Sequence, residues 1–425
     1  MQAKTDNLFT FNSFKPIPML RFLSVLLLVG LSTGVFAQGR MSSTEIGFSY
    51  NLDHEFLLSE RVARQGNLYK VYIRFRLNSG NVKIGDYELS YDLRSSYIDE
   101  KKINSSVLLE ESNVIDNGFR EFTFAIEFEK SDDDNLLVLQ VENIVRNRKY
   151  QKDIPLSSAN GIDHNPFLLF DAEKDIPFFE NYINTKGTIR VKNVFGNSGS
   201  FSIKGLENNM QVAMPPFDDS DREGPDEISL DDTVYGILEG EAFTFPTPGF
   251  YEISAAEDEN SVTSLLVTDA FYPYFEEYTE LVKPLIYIST NQEFTSMLGS
   301  DNPKVSFENF VLETISSNTN IAKDFVKYYY RRVRKSAQLF TDQTEGWKTD
   351  RGMVYQVYGN PATVFRNETT ELWVYVSENG GRTRFIFDIV EGPAGTRQYK
   401  LIRGKRFRDG WMNAVSRWRS GRIIE

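Results

Sequence analysis

Between Gln38 and Pro155 apolar and polar residues alternate with a period of two, and a chain so patterned buries one face as half-covered strands. In Lys70-Val71-Tyr72-Ile73-Arg74-Phe75-Arg76-Leu77, the side chains of Val71, Ile73, Phe75 and Leu77 fall on one side, with charge or hydroxyl on the other. Tyr87-Glu88-Leu89-Ser90-Tyr91-Asp92-Leu93-Arg94 and Phe122-Thr123-Phe124-Ala125-Ile126-Glu127-Phe128 repeat the pattern. Turn chemistry at Asn78-Ser79-Gly80-Asn81 and Asp116-Asn117-Gly118 separates these runs, which is the spacing of an antiparallel β-sandwich over 38–155. A second β region, 160–268, predicts strands over 167–170, 188–194, 201–204, 234–238, 251–254 and 264–268. There Pro246-Thr247-Pro248-Gly249 breaks the chain ahead of Phe250.

After Pro273 the period lengthens to that of helices, over 307–315 and 321–340. Ile321, Phe325, Tyr328, Val333 and Phe340 approximate one face of the second, with Thr319 or Asn320 as its cap. Arg331, Arg332, Arg334 and Lys335 gather near its end, as a solvated face matched to the helix dipole or as an anion-binding surface. The segment 346–361 then reads as a loop, a cap at Thr349 or Asp350, and a short helix with Met353, Val354, Val357 and Tyr358 as its apolar stripe. Gly359 suits a left-handed C-cap and Pro361 prevents continuation. Two strands over 372–376 and 384–389 form a hairpin through Gly380-Gly381. The expected fold is mainly β with a C-terminal α+β domain: two tandem antiparallel β-sandwiches (38–155 and 160–268) followed by a helix-plus-small-sheet domain over 270–425.

Residues 22–35 form an unbroken apolar and small-residue run, preceded by Lys15 and Arg21 and closed by Val35-Phe36-Ala37. The run is shorter than the roughly 20 residues a helix needs to span a bilayer. It reads as a cleavable export signal over 1–37, with Met19 as an alternative start, so the mature chain is expected to be periplasmic, outer-membrane-associated or extracellular. The chain has no cysteine, which excludes a disulfide framework, thiol catalysis and a lipid-bearing cysteine. Its formal charge of −13 becomes more negative when 1–37 are removed, which disfavours nucleic-acid binding, because phosphate contacts need a basic face.

Gly346-Trp347-Lys348-Thr349-Asp350, with Arg351-Gly352, Val354-Tyr355, Tyr358-Gly359 and Pro361, resembles the signature of the GWxTD-domain proteins, exported proteins chiefly of Bacteroidetes and related bacteria. Tyr328-Tyr329-Tyr330-Arg331-Arg332-Val333 fits the same pattern, and the resemblance covers roughly 270–425. It implies an exported domain and brings no established activity with it. The helix ending in Gly-x-Pro, followed by strands with Trp-x-Tyr and Phe-x-Phe, is also similar to the small α/β fold of BamE-type lipoproteins that assist outer-membrane barrel assembly. That likeness implies an envelope-scaffold role, although this chain lacks their lipidated cysteine.

The candidate binding residues are Trp347, Asp350, Arg351 and Tyr355 in the motif, Arg331 and Arg332 before it, and Trp411 and Trp418 near the C-terminus. A structural reading competes at each: Trp347 filling a core pocket, Asp350 capping the helix, Arg351 pairing with a carboxylate. Trp and Arg also dominate binding hot spots. Trp411, Val415 and Trp418 lie at i, i+4 and i+7 within a basic tail, a stripe that docks on its own domain or meets an anionic membrane surface. With two histidines, His54 and His164, no nucleophile–base pair stands out, and no spacing holds zinc or iron. Asp219-x-Asp221-x-Glu223-Gly224 imitates a calcium loop but has Pro225 after the glycine and Leu230 at position twelve, so a solvated acidic loop is expected there, and a turn at Asp132-Asp133-Asp134. Asp232-Thr233-Val234 resembles an O-glycosylation acceptor of Bacteroidetes. The expected function is a non-catalytic exported cell-envelope protein, a scaffold or binding module for protein or polysaccharide partners, with no cofactor; the competing class is a secreted glycan hydrolase using paired carboxylates.

Overall fold

The computed structural model describes residues 45–78, 83–97, 107–131, 135–156, 164–196, 199–206, 210–218, 230–377 and 380–422. The apolar run at 22–35, the turn residues Ser79-Gly80-Asn81, the acidic stretches at 132–134 and 219–223 and the side chain of Thr233 lie outside the described residues.

Eight strands form the first sandwich: β1 (Phe56–Gln65), β2 (Leu68–Leu77), β3 (Tyr87–Arg94), β4 (Val107–Leu108), β5 (Val114–Asn117), β6 (Glu121–Glu129), β7 (Leu136–Asn143) and β8 (Arg148–Pro155). They pair antiparallel in two sheets, β1-β2-β6-β5 and β4-β3-β7-β8. Val71, Ile73, Phe75 and Leu77, one side of the alternation, are all buried against Leu89, Leu137, Leu139 and Val141 of the other sheet. Burial of each such side chain contributes about 1.5–3 kcal/mol, and the alternation is what delivers all four to one face.

The next eight strands are β9 (Phe167–Asp171), β10 (Tyr182–Asn184), β11 (Thr188–Asn193), β12 (Ser200–Leu206), β13 (Leu230–Leu238), β14 (Ala242–Thr244), β15 (Gly249–Ala255) and β16 (Asp258–Thr268). A five-stranded sheet, β10-β16-β15-β12-β13, and a three-stranded one, β14-β11-β9, share a core of Phe167, Ile189, Val191, Ile203, Ile253 and Leu265. Pairing is antiparallel except at the edge, where β10 runs parallel to β16. Arg61 of β1 ties the two β units together by donating to the carbonyls of Phe178 (3.0 Å), Phe179 (2.7 Å) and Glu180 (2.9 Å).

Helices then take over: α1 (Tyr278–Val282), α2 (Asn291–Leu298), α3 (Pro303–Asn309) continuing into a π-helical turn (Phe310–Ile315), α4 (Thr319–Phe340) and α5 (Asp350–Tyr358). The expected helix over 307–315 is therefore two pieces of different winding. The cap of α4 is Asn318, whose side chain accepts from the Asn320 backbone at 3.0 Å. Its buried stripe is Ala322, Phe325, Tyr329, Val333, Ala337 and Phe340, turned away from Ile321, which is exposed. Phe325, Val333 and Phe340 of the expected face are in this stripe, while Tyr329 takes the core position in place of Tyr328.

A four-stranded antiparallel sheet in chain order, β17 (Thr363–Arg366), β18 (Thr370–Val376), β19 (Arg382–Glu391) and β20 (Arg397–Leu401), packs Trp373, Phe385 and Phe387 against α4 and α5. The residues ahead of β1 join this core too: Ile46 and Tyr50 are buried in it, and the Ile46 backbone donates to Val364 at 3.0 Å.

The last helix, α6 (Arg408–Arg419), buries Trp411, Val415 and Trp418 in the same core. The Trp418 indole donates to the Val357 carbonyl at 3.1 Å, and Arg419 grips Glu293 of α2 through two bonds of 2.8 Å. Hydrogen bonds from Arg419 hold the Glu293 carboxyl at about 2, against an ordinary 4.5. A carboxyl depressed by folding stabilises fully above its ordinary value and loses that contribution as pH falls towards the depressed one. We expect α6 to loosen between pH 4.5 and about 2, by less than about 1 kcal/mol because the pair faces solvent. Tryptophan fluorescence against pH should show this step, and Glu293→Gln should remove it.

Candidate functional site

The Gly-Trp-x-Thr-Asp segment forms a clasp between α4 and α5. Gly346 lies flat on the end of α4, where a Cβ would come within 2.6 Å of the Thr341 nitrogen. Gly352, one turn into α5, faces the Gly346 carbonyl so closely that a Cβ would overlap its oxygen. Both glycines are thus set by backbone contact. Trp347 is buried between them, its indole donating to Glu345 Oε2 at 2.6 Å. Thr349 is the cap, accepting from the Gly352 backbone at 3.0 Å while its hydroxyl donates to the Gly346 carbonyl at 2.8 Å.

Asp350 does not cap the helix. Its carboxylate reaches to the end of β20, accepting from the Leu401 backbone at 2.7 Å and from Arg403 in a two-point ion pair. Arg403 also donates to the Met214 carbonyl at 3.2 Å, so this aspartate helps fix the chain between the β region and the clasp. Arg351 turns inward, its guanidinium lying 3.4 Å from the centre of the Tyr399 ring, with Nη1 donating to the Tyr50 hydroxyl at 3.3 Å.

Beneath the clasp is a buried polar network. The Glu371 carboxylate, fully buried, lies 2.8 and 2.9 Å from the Tyr50 hydroxyl and accepts from the Trp373 indole at 2.7 Å. Arg366 donates to Glu371 at 2.9 Å, to the Tyr50 hydroxyl at 2.9 Å and to Asp153 of β8 at 3.1 Å. The Tyr97 hydroxyl donates to the same Asp153 oxygen at 2.9 Å. Burial, reinforced by Glu371, pushes the Tyr50 phenol far up. Burial would raise the Asp153 carboxyl as well, but Arg366 and the Tyr97 hydroxyl outweigh it and hold the group ionised. Such charges are committed to one another and are unsuited to proton transfer with a substrate.

The structure separates the remaining candidate residues. Tyr355 is buried and donates to the Tyr50 carbonyl at 3.3 Å. Arg332 donates to the Val357 carbonyl at 3.0 Å, at the end of α5, and lies 4.9 Å over the Trp418 ring, where burial lowers its guanidinium to about 10. Arg331 is exposed and pairs with Asp53 at 2.8 Å, alongside Lys335. The reading of Tyr355, Trp411 and Trp418 as contact residues is corrected by their position: all three are packed inside, where an aromatic side chain stabilises the fold and offers no face to a partner, while Trp347, buried as well, borders only the wall of a neighbouring groove. His54 packs edge-on against Phe56 and Tyr150, and His164 lies beside Tyr69 with Nε2 2.9 Å from the Pro155 carbonyl.

Sequence reasoning missed a groove of about 820 Å³ along the outer side of the clasp, between the end of the five-stranded sheet and α1. Tyr251, Phe271, Tyr272, Tyr274 and Phe275 line it, and Phe271 and Tyr274 remain 54% and 60% exposed. Among these rings stand Asp269, Glu276, Glu277, Glu280 and Glu345. Burial raises the Glu280 carboxyl, and the charges of Asp269, Glu345 and Glu277 add to the rise beyond what Lys283 offsets. Glu345 is already engaged by the Trp347 indole and by Lys348 at 3.1 Å. Among the described residues no three acidic or histidine side chains converge to hold a metal ion. The run Tyr272-Pro273-Tyr274-Phe275-Glu276-Glu277 carried the signal, as aromatic and acidic residues interleaved in a loop.

Because the clasp rests on two backbone contacts, Gly352→Ala is expected to lower stability by about 3 kcal/mol in denaturant unfolding. Gly410→Ala, at an exposed position of α6 where the nearest atom is 3.5 Å away, should be neutral or stabilising. Comparison with known proteins agrees with the geometry. No curated protein matches the chain. Residues 249–420, from the start of β15 to the end of α6, match the family model of the GWxTD domain, and the clasp, the small sheet and most of the groove lie inside that span: the chain carries a GWxTD domain.

Proposed function

We propose that this is a non-catalytic exported protein of the cell envelope, a binding module that holds a protein or polysaccharide partner in the groove beside the clasp. The observation that carries the reading is the pair of exposed rings, Phe271 and Tyr274, set at a groove of about 820 Å³ next to a packed aromatic core. Aromatic side chains held open on a stable wall are what a recognition site needs. The export signal over 1–37 supports the compartment. Lys405, Arg406, Arg408 and Arg417 face solvent around α6 and supply the electrostatic half of a peripheral contact with an anionic surface, while the tryptophans of that helix belong to the core. Crosslinking in intact cells from a photoreactive residue at 247, an exposed position on the groove wall, should capture the partner. The double variant Phe271→Ala/Tyr274→Ala should weaken its recovery about thirtyfold, a loss of about 2 kcal/mol. Undiminished recovery from a folded double variant would overturn this reading.

The second reading is a glycan hydrolase, and Glu280 favours it: a carboxyl raised by burial and neighbouring acids is suited to donating a proton to a leaving oxygen. On that reading the purified chain releases reducing ends from envelope polysaccharide, and Glu280→Gln slows release by about a hundredfold or more. Absence of release by the folded wild-type chain would remove it.

A further inference from the structure

The groove has a chemistry that selects among partners. Five carboxylates line it against two lysines, Lys283 and Lys348, with Arg334 over the Tyr274 ring as a third cation beside it, and Lys348 is already paired with Glu345. Glu276 and Glu277 are exposed at its wall, directly after the Tyr274 and Phe275 rings. The acidic side chains do not converge on a point that would hold a metal ion, so a bound ion is not the natural answer to their charge. What answers it is a set of positive charges spread along a chain. The rings are compatible with the same guest, since cations favour aromatic faces. The protein uses that contact twice at this site: Arg334 lies 5.1 Å over the Tyr274 ring, and Lys348 lies 5.5 Å over Trp347. Polyanions, including acidic polysaccharides, are repelled by the same wall. A neutral glycan would use the rings but leave the carboxylate excess unanswered.

Resting on the binding reading above, we propose that the groove receives a protein segment bearing several lysine or arginine side chains, whose charges meet the Asp269, Glu276, Glu277 and Glu280 wall while its stems lie on Phe271 and Tyr274. Long basic side chains carry an apolar stem and a charged head, which matches rings and carboxylates set side by side.

The test is fluorescence anisotropy on the purified full chain with three labelled probes: a decapeptide rich in lysine and arginine, the same peptide with glutamate in their place, and a neutral hexasaccharide. The basic peptide is expected to bind about tenfold or more tighter than either other probe, and to weaken as salt rises. Glu276→Lys/Glu277→Lys, at two exposed positions where the fold tolerates change, should weaken it about tenfold or more. Equal binding of the basic and acidic peptides, or unchanged binding by the charge-reversed variant, would overturn the proposal. If the hexasaccharide alone binds and Tyr274→Ala abolishes it, the groove remains a binding site and a basic segment is the wrong ligand class. If no probe binds and the cellular partner is recovered undiminished from Phe271→Ala/Tyr274→Ala, the binding reading fails as well.

Discussion

Glu371 is a carboxylate with no exposed surface, and an ionised carboxylate survives such burial only where donors surround it. Here they come from four parts of the chain: Tyr50 ahead of the first sandwich, Arg366 of β17, Trp373 of β18 and, 3.9 Å away, Arg351 of α5. Arg366 extends the network to Asp153 in the first sandwich. Removing one member of a buried ionic group generally destabilises by about 3–5 kcal/mol, whereas apolar residues of equal volume can replace the whole set at little loss. The network therefore contributes mainly geometry. Its donors can all reach Glu371 in one arrangement of the N-terminal segment, the first sandwich and the small sheet, and that arrangement places the clasp.

The signature residues acquire distinct physical roles from this frame. Glycine is required at 346 and 352 by backbone contact, tryptophan at 347 by the volume it fills, threonine at 349 by the cap, aspartate at 350 by Arg403. None of the five projects a functional group into solvent as a catalytic motif would. The signature describes how a loop is locked across two helices, and the groove lies beside it, lined mostly by residues the signature does not include and bordered by Trp347 and Lys348.

Local pattern made much of this legible. The period-two runs became β2, β3 and β6, with the expected face buried in β2 and polar Asp92, Arg94 and Thr123 buried from the other face of β3 and β6, and the cap at Thr349, the positive φ of Gly359 and the β18–β19 hairpin follow from adjacent residues alone. Partners far apart in sequence were not legible. Tyr50 and Glu371 are 321 positions apart, and nothing in the alternation after Gln38 distinguishes a tyrosine bound for the C-terminal core from one bound for the first sandwich. The basic cluster on α4 shows the same limit: read as one surface, it divides among Asp53, the end of α5 and the Tyr274 ring, because successive residues on a helix point about 100° apart. Tryptophan and arginine marked the candidate site in the sequence, yet the same types stabilise cores, and burial alone decides between the two roles.

The span of the GWxTD match bears on where function resides. It begins at Gly249, inside the second β region, so β15 and β16 belong with the helices as far as the family pattern is concerned. Those two strands, the 269–280 stretch and the clasp supply most of the groove, whereas Thr185, Gly205, Leu206, Met210, Thr247 and Pro248 complete it from outside the match. The groove is thus built largely from the matched span, with an edge supplied by the rest of the chain. The buried network bears on the binding proposal in one way: by fixing the clasp from behind it would keep Phe271, Tyr274 and the acidic wall in register, so that little ordering would remain for a partner to impose.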